Sequence, residues 1–266
     1  MMILKRLARL IVLQGMMFGT PLCIADAVTG TVGSDSKEES VDKLMQDAGP
    51  GAAESVADFP MYRPPQRGAP AARVGGGTRG PGDASAYIAL ITPPHTAYTT
   101  QAQPTLFWYL SKAVTTRFEF ALISDVEVQP MINSMLNESL LPGIHRLSLS
   151  DFGVTLEPGK SYQWSIALVQ DPDQRSSDIL SSGRIRYEKT SRELEERLQQ
   201  STPEQAVRIY AETGYWYDAI ATLSELIGRN PEDPSLVRQR IALLQQADLP
   251  VVSAFEQAHL QATAQE

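Results

Sequence analysis

Hydrophobic and polar residues alternate one by one through the middle of the chain and shift to helical spacing near its end. Tyr162, Trp164, Ile166 and Leu168 fall on one side of an extended segment, with Gln163, Ser165 and Ala167 on the other. A period of two is that of a strand with one buried face. Leu106, Trp108 and Leu110 repeat the pattern after Pro104, and Phe118 to Leu122 repeats it again. Tyr87 to Thr92 is an apolar run closed by Pro93-Pro94, and Val126 to Val128 reads as a short edge strand. Ile144 to Leu149 follows the turn at Pro142-Gly143, and Ile179 to Tyr187 closes the set. About seven strands separated by turn residues predict an antiparallel β-domain over 86–189.

From Ser191 onward the apolar spacing is helical, which predicts a helical region over 190–250 and a tail over 251–266. Pro203 stands where a helix begins, after Ser201-Thr202 as caps. Tyr210, Gly214, Trp216, Ala219-Ile220, Leu223, Leu226 and Pro231 resemble one tetratricopeptide unit in their spacing. Gly214 there permits the tight turn between two helices, and Ala219 permits their close approach. Leu236, Val237, Ile241 and Leu244 suit a third helix that ends before Pro250. A single unit of this kind cannot bury both faces alone, so it is expected to pack on the β-domain.

The spacing L-x-P-G-x-x-Y-x-W from Leu156 to Trp164 resembles the corner that leads into a late strand of fibronectin type III and immunoglobulin-like sandwiches. In that corner a tyrosine hydroxyl bonds back to the backbone, which is the role expected of Tyr162. Trp108 and Trp164 are the large residues around which such a core packs. The expected fold class is therefore segregated α+β: an immunoglobulin/fibronectin-III-like β-sandwich followed by a small tetratricopeptide-like helical region.

The first 27 residues have a different character. Lys5, Arg6 and Arg9 precede a mostly apolar run from Leu10 to Phe18, and Ala25-Asp26-Ala27 offers small residues for a signal peptidase. Gln14, Gly15 and Pro21 interrupt the run, so a cleaved signal peptide over 1–27 is expected, and no integral span in the mature chain. Cys23, the single cysteine, would leave with it, removing any disulfide or thiolate chemistry. The product would be periplasmic or secreted. Residues 28–85 read as a disordered linker rich in Pro, Gly and Arg.

Formal net charge is −8, so the basic footprint of a nucleic-acid binder is absent. Arg67, Arg73 and Arg79 stand among Pro and Gly, and Arg175 lies in the loop Asp171 to Ser176. Guanidinium forks beside glycine-rich backbone suit an anion or a partner's carboxylate. The spacing is not that of a P-loop. Asp171, Asp173 and Asp178 crowd one loop but match no calcium-loop pattern. His95, His145 and His259 have no metal-type spacing. No catalytic residue, cofactor or metal is expected.

Several short motifs then occur in order. They are R-G-x-P at Arg67 to Pro70, G-G-G-T-R-G at Gly75 to Gly80, P-T-x-x-W-Y at Pro104 to Tyr109 and E-F-x-L at Glu119 to Leu122. Pro142-Gly143-Ile144, D-P-x-x-R-S at Asp171 to Ser176 and W-Y-D-A at Trp216 to Ala219 follow. Together they resemble an exported bacterial family, domain of unknown function 928, from about Arg63 to Leu249. The resemblance implies export and architecture, and no activity. Members often carry a cysteine where this chain has Gln170, which argues against shared thiol chemistry here. The leading expectation is a non-enzymatic interaction or structural protein of the cell envelope, with another envelope protein as partner. The rivals are a hydrolase of envelope polymers and a carbohydrate-binding module using Tyr98, Tyr109 or Trp216.

Overall fold

The computed structural model describes residues 59–65, 73 and 86–265. Among them, strands β1 (Ile88–Leu90), β3 (Thr105–Leu110) and β6 (Gly143–Ser148) form a three-stranded sheet in the order β1-β3-β6. Strands β2 (Ala97–Thr99), β4 (Val114–Ser124), β5 (Ile132–Leu140), β7 (Ser161–Val169) and β8 (Ile179–Tyr187) form a second sheet in the order β2-β8-β7-β4-β5. Five helices follow: α1 (Arg192–Gln199), α2 (Pro203–Glu212), α3 (Trp216–Arg229), α4 (Pro234–Gln246) and α5 (Pro250–Thr263). The expected signal peptide over 1–27 and most of the expected linker over 28–85 lie outside the described residues.

The alternating sequences build the core directly. Register sets Phe118 against Leu168, Phe120 against Ile166 and Leu122 against Trp164 across β4 and β7. All six side chains are buried, because equal parity puts them on one face of the sheet. Trp108 of β3 meets that face, its ring 5.2 Å from Phe118, and so joins the two sheets. Tyr109 points the other way, where Phe255 of α5 lies 5.1 Å from its ring. That cover explains why β3, apolar at five of its six positions, is buried on both faces.

At the corner before β7, Gly159 takes φ +77° and the Glu157 amide donates to Tyr162 Oη at 2.8 Å. The Tyr162 ring is buried. The hydroxyl therefore stands in for a backbone acceptor that the turn would otherwise lack.

Three strand expectations are corrected. Val126 to Val128 is a turn and not an edge strand. The chain reverses there, with Glu127 N–H donating to Ser124 O, and both valines are exposed. The edge strand is β5, paired over nine residues with β4. Its inward Ile132, Leu136 and Leu140 recur only every fourth residue, so its sequence carries no period of two. The sheet is also not wholly antiparallel, since β2 runs parallel to β8 with Ala97 opposite Ile185. Three residues are too few to reveal β2 by alternation.

Helix starts follow from caps. Thr202 accepts from the Gln205 amide, Gln205 returns a bond to Thr202 N–H, and Pro203 occupies the first turn. Asp233 caps α4 with Pro234 next to it. Gly214 joins α2 to α3 with φ +87°, a conformation that costs other residues. The expected tail is mostly helix: α5 starts at Pro250, runs to Thr263, and buries Val252, Ser253 and Glu256. Glu256 receives a two-pronged bond from Arg240 of α4, at 2.6 and 2.9 Å.

Candidate functional site

The densest cluster of buried polar groups lies where α3 meets the strands. Trp216 opens the helix, and its Nε1–H donates to Ile91 O at 2.9 Å. The next residue, Tyr217, is buried among three partners. Its hydroxyl accepts from Trp164 Nε1 at 2.9 Å, lies 3.0 Å from Thr92 Oγ1, and donates to Arg184 O at 3.1 Å. A phenol has one proton and two lone pairs. The carbonyl can only accept, so the proton goes to Arg184 O and Thr92 must donate. Every capacity of the group is used. Burial raises the phenol's pKa, opposed by the Thr92 and Trp164 bonds, and keeps it neutral.

Asp218 follows in the first turn of α3. Thr100 N–H donates to both of its oxygens, at 3.0 and 3.2 Å, and the Thr100 hydroxyl bonds to one of them. Burial pushes this carboxyl up to about 6, against the opposing pull of the Thr100 and Thr99 donors. The charge it carries above that pH is felt by Tyr210 and Tyr215, whose pKa values rise chiefly by burial and partly through Asp218. The carboxylate holds the strand end at Thr99-Thr100 to the helix. Chemically it is an acid shielded from solvent, since its oxygens face Thr100 and its residue is 5% exposed.

The structure scatters the arginines singled out from sequence. Arg67 and Arg79 lie outside the described residues. Arg73 is described, and its guanidinium donates to Thr92 O at 2.8 Å, Ala247 O at 3.0 Å and Asp248 O. Its donors bind the β1–β2 loop to the end of α4, and burial lowers its pKa. Arg175 reaches across the outer face of the sheet to Glu119 at 2.5 Å and Asp178 at 2.6 Å. Asp171 Oδ1 accepts from Asp173 N–H, an ordinary turn. Among the described residues no three His, Cys, Asp or Glu converge as a metal site.

The aromatic rings named for a sugar platform are spent internally. Tyr109 and Trp216 are buried, and Tyr98 is half-buried beside Tyr215 at 6.2 Å. His95 lies 2.8 Å from Tyr62 Oη, His145 lies 4.9 Å from the Trp108 ring, and His259 is parallel to Phe255. Trp108, Trp164 and Ala219 are all within the core. Sequence reasoning missed Tyr217, Asp218, Thr92 and Thr100. The only signal was the adjacency of Tyr217 and Asp218 to Trp216 in W-Y-D-A, and their partners are far away along the chain.

β5 is an edge of the five-stranded sheet. Among the described residues β5 pairs with β4 alone. Four exposed large apolar side chains border it: Val126 and Val128 in the turn before it, Met135 on it, and Leu141 just after it. Among the described residues no helix is long and apolar enough to cross a membrane.

No curated protein matches this sequence. The sequence profile described as Domain of Unknown Function (DUF928) matches residues 74–257, which spans the motifs from G-G-G-T-R-G through W-Y-D-A and takes in all eight strands. A match over more than half of the chain decides the relationship: this protein belongs to the family of domain of unknown function 928.

Proposed function

We propose that this is a non-enzymatic interaction module of the cell envelope that binds a partner by strand addition at β5. The observation that carries the reading is an edge strand with an exposed apolar residue, Met135, on it and others at both its ends. Val126 and Val128 are 77% and 94% exposed, and Leu141 is 73% exposed. Unpaired strand edges template pairing, and soluble proteins ordinarily blunt them with charge or proline. The fitting partner is an extended, apolar-alternating segment of another envelope protein. Export itself rests on the basic, apolar and small-residue order of residues 1–27. The Tyr162 corner supports an immunoglobulin/fibronectin-III-like sandwich, and the Gly214 turn with the close Ala219 supports a tetratricopeptide-like unit.

A photo-crosslinker placed at Met135, with a control at Arg238 on α4, tests it in the native envelope. Crosslinking of one defined protein from the Met135 position alone is expected. The purified pair should then bind, and Met135→Lys should weaken it about tenfold or more, since a lysine on the edge opposes pairing. Equal crosslinking from both positions, or binding indifferent to Met135→Lys, defeats the proposal.

A further inference from the structure

Phe59–Pro65 has no regular structure of its own, and the partners it bonds among the described residues lie far away in sequence. Its side chains alternate: Pro60 and Tyr62 are buried, Met61 and Arg63 are exposed. Gln246, at the end of α4, reads its backbone with one amide. Tyr62 N–H donates to Gln246 Oε1 at 2.7 Å, and Gln246 Nε2 donates to Pro60 O at 3.0 Å. Arg63 N–H donates to Ala211 O at 3.0 Å, near the end of α2. The Tyr62 ring stands edge-on to Trp216 at 5.0 Å, and its hydroxyl lies 2.8 Å from His95 Nε2. Gly214 leaves space beneath the segment, because a Cβ there would sit 3.2 Å from Arg63 O and 3.3 Å from Pro65 Cδ.

These are the parts of a peptide-recognition cleft. An aromatic anchor fills a pocket, main-chain bonds fix direction, a glycine floor allows close approach, and prolines hold the bound segment extended beforehand. The contacts join four separate elements of the body, α2, α3, α4 and the β1–β2 loop, to one short run of chain. The matched family region begins at residue 74, after that run. We propose that the cleft between α2, α4 and the β1–β2 loop is a binding site for extended Pro-x-Tyr-x-Pro peptides, and that Phe59–Pro65 occupies it in cis. A tethered occupant acts at an effective concentration of about millimolar. An external peptide therefore gains the cleft only when the strap is released. The site is separate from the β5 edge, so either can fail without the other.

The test uses the full chain with a protease site inserted between Gln66 and Pro70, cleaved after folding. The probe is a fluorescein-labelled peptide with the sequence of residues 57–66. The cleaved protein is expected to exchange its own fragment for the probe and to bind it at least tenfold more tightly than the uncut chain. A probe carrying Tyr62→Ala, or a cleaved protein carrying Gln246→Ala, should lose tenfold or more. Three results overturn the proposal: a cleaved protein that sheds its fragment, stays folded and ignores the probe; a fragment that never exchanges; or loss of the cooperative melt when the fragment leaves, which would make the strap part of the folding core.

Discussion

The inner face of the five-stranded sheet and the junction between the strands and α3 are both buried, yet they are held in opposite ways. On the sheet, Phe118, Phe120, Leu122, Ile166 and Leu168 offer only apolar surface, and an apolar side chain of similar volume would serve nearly as well. At the junction, Trp164, Thr92, Tyr217, Thr100 and Asp218 exchange specific hydrogen bonds. Losing one partner there strands another polar group away from water. Apolar packing supplies stability with little instruction. The polar junction decides how the helices sit on the strands.

Mutations can break that comparison, and the largest effect belongs to the sheet. Phe120→Ala should cost about 3–5 kcal/mol in denaturant unfolding, as large core truncations do. A cost near zero would mean that the sheet collapses around the hole and that its packing is not specific. The junction comes next. Asp218 titrates at about 6 when folded, above its ordinary value near 3.8, so the ionised form is the penalised one. The stability it contributes is full below pH 3.8 and lost as pH rises through about 6. That amounts to about 2 kcal/mol between pH 4 and pH 7, relative to Asp218→Asn, from the two-unit separation. Parallel stability curves for the two proteins over this range would remove the penalty and the reasoning with it.

Tyr217→Phe should cost about 2 kcal/mol, because the Trp164 and Thr92 donors and Arg184 O all lose their partner at once. If its unfolding midpoint equals that of the parent, the junction is no more specific than the sheet. Tyr162→Phe is the mildest, about 1 kcal/mol for a single bond to the Glu157 amide. Combining it with Tyr217→Phe should give an additive loss, since the two hydroxyls share no partner. Marked non-additivity, read in the same unfolding curves, would couple corner and junction.

Legibility divides along the same line. The sheet's inner face could be read from alternation because each strand carries its own period. The Tyr162 corner could be read because donor and acceptor lie five residues apart. The junction could not: Tyr217 meets Thr92 and Asp218 meets Thr100 only after the whole β-region has folded. Tyr62 was hidden for a related reason. It sits in a proline-rich, low-complexity span whose composition suggests a linker, and its pocket is made by Trp216, His95 and Gln246 from three other elements. The edge strand β5 carries too few apolar residues to announce itself, since an edge covers only the margin of the core.

The parallel pairing of β2 with β8 also sets an order of events in time. Ala97 is made early, but the strand it must lie beside is not complete until Ile185 has been made. Chain growth is slow beside the microsecond formation of local hairpins, so β4 and β5 can pair while β2 still has no neighbour. When β8 arrives, it closes a loop that spans nearly the whole β-region, and such non-local closures are the slow steps of folding. Thr99 and Thr100 lie at the end of β2, and the Asp218 carboxylate that accepts from Thr100 is made later still. The helices are thereby the last part to dock, and a nascent chain held extended before residue 187 has no finished sheet to unravel.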